Sequence, residues 1–126
     1  MCISLGTMKR KILVLESDAD ILQIISHILT DEGYQPILCK TEQGIHEVIV
    51  QEKPDVILLD IVSPSEQGTR LCRTLKATAA TSHIPVIVLS THSRIEVVKE
   101  ICADEVLKKP FDIDLLLDAV KEQLAA

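Results

Sequence analysis

Apolar positions along the chain alternate between two spacings. Short unbroken runs read as strands buried on both faces. They are Ile12-Leu13-Val14-Leu15, Pro36-Ile37-Leu38-Cys39, Val56-Ile57-Leu58-Leu59, Pro85-Val86-Ile87-Val88-Leu89 and the shorter Glu105-Val106-Leu107. Between them apolar residues recur at helical spacing. Ile21, Leu22, Ile25, Ile28 and Leu29 mark a first helix that stops near Gly33. Ile45, Val48 and Ile49 mark a second, ending at Lys53-Pro54, and Leu71, Cys72 and Leu75 a third. Ile95, Val98 and Ile101 mark a fourth; Leu116, Leu117, Val120 and Leu124 mark a fifth that starts near Asp112.

Five strands, each followed by a helix, predict an α/β fold with a parallel sheet covered on both faces. Five units are too few for a closed barrel of eight. The expected architecture is a (βα)5 flavodoxin-like, doubly wound open sheet of strand order 2-1-3-4-5.

Composition changes this picture little. The chain has 126 residues, which suits one domain. Tyr34 and Phe111 are its only aromatics, so the core must be aliphatic and few rings are left to stack on bases. A formal net charge of −6 repels phosphate backbones, and no nucleic-acid partner is expected. No apolar run reaches membrane-spanning length and no secretory leader is recognised, so a cytoplasmic location is expected. Residues 1–8 read as a disordered tail, with Met8 as an alternative start, and residues 9–126 as the domain. Cys2, Cys39, Cys72 and Cys102 form no CxxC pair and are expected to be reduced residues, neither disulfides nor zinc ligands. His27, His46, His83 and His92 show no ligand spacing.

Candidate chemistry sits just past the strands, where sheets of this kind bind ligands. The first strand leads into Glu16, Ser17 and Asp18, the third into Asp60, the fourth into Ser90 and Thr91, and the fifth into Lys108 and Lys109. A carboxylate, hydroxyls, an ammonium and acids on one sheet edge suit phosphoryl transfer to a carboxylate. Asp60 would be the nucleophile. Lys109 and Ser90 would stabilise the charge on the phosphoryl oxygens, with Thr91 beside them. Glu16 reads as a metal or water ligand or as a surface charge, and Ser17 as a helix N-cap. A nucleotide fold is disfavoured because no GxGxxG or P-loop follows the first strand. Val62 stands where a dehalogenase-type phosphatase would need a second acid.

The segments Ile12–Ile21, Pro54–Gly68, Ile84–Ser90 and Cys102–Asp112 together resemble the receiver domain of two-component response regulators. PDVILLDIVSPSEQG and VLKKPFD carry the resemblance most specifically, and it covers nearly the whole chain from Lys9. It implies that Asp60 is the phosphoacceptor, Ser90 the switch hydroxyl and Lys109 the phosphoryl-pairing lysine. It implies a cis bond before Pro110, and Mg²⁺ held by Glu16, Asp60 and the backbone carbonyl of Val62. The implied donor is a histidine kinase or histidine phosphotransfer protein, and the implied role is a signalling switch, not a turnover enzyme. The output protein or domain is not named by the resemblance, and a homodimer is left open. Three positions depart from the pattern, one of them Cys102 in place of the usual glycine, which is expected to alter only a helix end. Ser17 replaces the acid expected beside the metal, so Mg²⁺ binding should be weakened or lost. Val106 replaces an aromatic rotor. Ser17 and Val106 keep open an alternative, a pseudo-receiver that binds partners without phosphorylation.

Overall fold

In the computed structural model, which describes residues 9–125, the strands form where the apolar runs lie. The tail expected at residues 1–8 lies outside the described residues. The strands are β1 (Lys11–Leu15), β2 (Gln35–Cys39), β3 (Val56–Asp60), β4 (Val86–Ser90) and β5 (Glu105–Lys108). The helices are α1 (Ala19–Asp31), α2 (Ile45–Glu52), α3 (Arg70–Ala77), α4 (Val98–Ile101) and α5 (Ile113–Ala125). Only the fourth helix departs in kind from the predicted pattern: a 3-10 turn (Ile95–Val97) runs into a four-residue α4.

All pairings are parallel and the strand order is β2-β1-β3-β4-β5, as the sequence predicts. Side chains alternate across the sheet and build two cores. Leu13, Leu15, Ile57, Leu59, Val86 and Val88 face α2, α3 and α4. Ile12, Val14, Val56, Leu58, Ile87 and Leu89 face α1 and α5. The three inner strands are thus buried on both sides, which is why their sequences lack a polar face.

The start of α1 corrects one expectation. The N-cap is Asp18, not Ser17: Asp18 Oδ1 accepts from the amides of Asp20 at 2.9 Å and Ile21 at 3.1 Å, while Ser17 is exposed. A carboxylate at this place satisfies two free amides and also favours the positive end of the helix dipole. Asp18→Ala is expected to lose about 0.5–2 kcal/mol in urea unfolding. Ser17→Ala should stay within about 0.5 kcal/mol of the parent. The other end of α1 closes at Gly33, whose φ of +90° is open to glycine at little cost.

The cysteines supply a second correction. Cys72 on α3 and Cys102 at the end of α4 are joined as a disulfide, with a Cα–Cα distance of 5.8 Å. The two residues are 30 positions apart, and packing of α3 and α4 on one face of the sheet brings them together. Cys39 stays free and half-buried, and burial pushes its thiol up from the ordinary value. Cys2 lies outside the described residues.

Candidate functional site

Strand register decides what meets what at the carboxyl edge of the sheet. Leu15 pairs with Leu59, Asp60 with Leu89, and Ser90 with Lys108. The residues that follow the strands therefore come level. The Glu16 amide continues the ladder to the Cys39 carbonyl at 3.0 Å, and the Lys109 amide donates to the Ser90 carbonyl at 2.8 Å. The Lys109-Pro110 peptide bond is cis.

Lys109 is the centre of the site. Its Nζ donates to Glu16 Oε1 at 2.6 Å and to Asp60 Oδ1 at 3.0 Å. Glu16 is 2% exposed, and its second oxygen accepts from the Asp18 amide at 3.2 Å. Burial works against the Lys109 ammonium. The hydrogen bonds it donates to Glu16 and Asp60 outweigh this and hold its pKa above the usual lysine value. The ammonium therefore stays charged at neutral pH, and what it contributes is lost only as pH rises through that elevated value. Lys108 is the exposed neighbour, paired with Glu96 at 2.9 Å.

Ser90 is buried, and its Oγ accepts from the His92 amide at 3.1 Å. Thr91 is exposed and sits instead on the rim of an apolar groove with Ile21, Ile24, Pro110 and Phe111, beside Lys109. Sequence reasoning missed that groove. Its signal was Ile24, an isoleucine outside the buried stripe of α1 and 58% exposed. The loop after Asp60 is held by Ser65, whose Oγ accepts from the Gly68 amide at 3.0 Å. A methyl group at Gly68 would fall on the Ser63 carbonyl oxygen, so this turn needs glycine for room.

The donor set does not fit a divalent cation well. Mg²⁺ wants several compact oxygen ligands in near-octahedral geometry. Here Glu16 and Asp60 are both held by Lys109, Ser17 is exposed, and Asp18 spends an oxygen on the helix cap. Among the described residues no three His, Cys, Asp or Glu side chains gather as a metal cluster. The arrangement is a half-buried ammonium bridging two carboxylates, one of them Asp60 at the cleft. It can present Asp60 as an oxygen nucleophile next to a fixed positive charge.

A family model described as response regulator receiver domain matches residues 12–121. The chain is 29% identical over 120 residues to sporulation initiation phosphotransferase F of Bacillus subtilis, covering 93% of this chain and 95% of that one. It is 32% identical over 117 residues to the transcriptional regulatory protein YxdJ of the same organism, covering 90% of this chain. It spans about half of that relative's length, 50%. Among solved structures, the receiver domain of a signal transduction histidine kinase from Syntrophus aciditrophicus superposes with a TM-score of 0.80. That pair is 30% identical, with 92% of this chain and 90% of the other covered. Among the described residues no helix is long and apolar enough to cross a membrane.

Proposed function

This chain belongs to the response regulator receiver domain family, and from that premise we propose that it is a phosphoacceptor switch modified on Asp60. The supporting observation is the Lys109 ammonium 3.0 Å from Asp60 Oδ1 at the carboxyl edge of the sheet. In the proposed step an Asp60 oxygen attacks phosphorus and forms the new O–P bond. The P–N bond to the imidazole of a phosphohistidine on the donor breaks as it forms. The donor is a histidine kinase or a histidine phosphotransfer protein. Charge spreads over three phosphoryl oxygens in the transition state, so a fixed cation beside the acceptor lowers the barrier. Ser90, one residue past the Asp60–Leu89 register pair, is the hydroxyl nearest in the strand order to receive one of those oxygens.

Modification would then shift the balance between two states of the surface formed by α4, β5 and α5. That surface already carries exposed apolar side chains: Val97 before α4, Ile101 in it, and Ile113 and Leu115 in α5. They suit a protein partner or a second copy. Receiver domains are switches, and any catalysis by this one would be of its own modification.

Two positions favour a second reading, a pseudo-receiver. Ser17 is exposed and brings no acid to the cleft, and Val106, half-buried against the α2–α4 core, has no ring to turn. Intact mass after incubation with acetyl phosphate separates the two. The parent is expected to gain one phosphoryl group and Asp60→Asn none. A folded parent that gains nothing, with Mg²⁺ or with EDTA, sinks the phosphoacceptor reading and leaves the pseudo-receiver. Uptake that persists in EDTA would mean that Lys109 alone supplies the positive charge. Uptake that vanishes there would mean that a cation binds despite the short ligand set.

A further inference from the structure

We propose that Cys72 and Cys102 are a reversible dithiol–disulfide pair whose closure fastens the end of α4 to α3. The two Cα atoms are 5.8 Å apart, inside the span that a disulfide bridges without backbone movement. Both residues are buried in one core, Cys72 at 0% and Cys102 at 8% exposure. A second clasp lies one helical turn along. Lys76, four residues after Cys72 on α3, pairs with Asp104 at 2.6 Å. Asp104 Oδ2 also accepts from the Val86 amide at 2.8 Å, and the Asp104 amide donates to the Val86 carbonyl at 2.8 Å. The loop after α4 is therefore held against α3 and β4 whatever the state of the sulfurs. Reduced thiols stay within reach of each other, and closing them needs little motion.

The element being fastened is the shortest α-helix among the described residues. α4 has four residues, it follows a 3-10 turn, and Val97 and Ile101 on this segment are exposed. Short helical segments with exposed ends open locally below the free energy of global unfolding. Opening at Ile101 would uncover Cys102 first. A hydroperoxide is small enough to reach it. The Cys102 thiolate attacks a peroxide oxygen, the O–O bond breaks, and hydroxide leaves behind a sulfenic acid. The Cys72 thiolate then attacks that sulfur, the S–S bond forms, and a second hydroxide leaves. The two thiol protons convert both hydroxides to water, and two electrons pass from sulfur to peroxide. A dithiol returns the pair to thiols by exchange.

In this view the tether limits how far α4 moves, by an input that does not require chemistry at Asp60. The test uses the full chain, reduced with dithiothreitol, freed of it, and treated with hydrogen peroxide. Peptide mapping after alkylation is expected to show the Cys72 and Cys102 peptides joined with loss of two hydrogens, and dithiothreitol should separate them. Amide exchange across residues 95–103 is expected to slow by about tenfold or more in the joined form relative to the reduced parent. Cys72→Ala and Cys102→Ala should each exchange like the reduced parent and ignore peroxide. Because the main comparison is between two states of the parent, it stands even if a variant folds poorly. Sulfinic acid accumulating at Cys102 with no joined peptide would overturn the proposal. So would a bond that dithiothreitol cannot open in the folded protein, which would be a permanent brace, or equal exchange in the two states.

Discussion

Lys109→Met is expected to lose about 3–5 kcal/mol of unfolding free energy at neutral pH, because it leaves a buried carboxylate without its counter-charge. Glu16 is 2% exposed and has two hydrogen-bond donors, the Lys109 ammonium and the Asp18 amide. Methionine keeps most of the stem and its packing, so the loss reports the charge more than the volume. Asp60, 18% exposed on its side chain, would then face Glu16 with nothing between them. Urea melts of Lys109→Met, Glu16→Gln and the double variant would measure the coupling. Glu16→Gln is expected to recover part of what Lys109→Met loses. If Lys109→Met unfolds with the parent, the ammonium is not balancing a buried charge and the account of the site fails.

The second large effect concerns the strand that carries Asp60. Leu58 is fully buried in β3, between β1 and β4 and under the helices of one face. Leu58→Ala removes packed methyl groups where two rigid neighbouring strands prevent collapse of the space, and is expected to cost about 2–5 kcal/mol. For a domain whose total stability is about 5–15 kcal/mol, that is a large share. Thermal and urea unfolding should agree on it. A loss under about 1 kcal/mol would mean that the helices above can close the gap and that this core is softer than its burial indicates.

Much of this structure was legible in the chain because a parallel βα sheet leaves few choices. Once five apolar runs alternate with helical spacings, short crossovers force parallel strands and place every strand end on one edge. That alone brings Glu16, Asp60, Ser90 and Lys109 together, before any resemblance is invoked. What the sequence hid was set by local competition or by distant packing. Ser17 and Asp18 are both good caps, and only the path of the chain after Glu16 decides between them. Cys72 and Cys102 carry no spacing signal, since their meeting depends on how two helices lie on the sheet. The direction of Thr91, toward the apolar groove, likewise follows from how the chain leaves β4. Ile101 shares the helical spacing of Ile95 and Val98, yet it ends a four-residue helix and is exposed.

On the proposed phosphoacceptor reading, the bridge between Glu16 and Asp60 would bear on how long an acyl phosphate lasts. In the resting cleft one ammonium serves two anions. A phosphoryl group on Asp60 replaces a single negative charge with roughly two. The same lysine would then be claimed more strongly from one side, while Glu16, too buried to turn to water, keeps its own claim from the other. On that reading Glu16 would be a rival of the modification for the Lys109 ammonium. Its pull would make the phosphorylated state short-lived without any help from a phosphatase, a clock whose rate is written in the competition for one nitrogen.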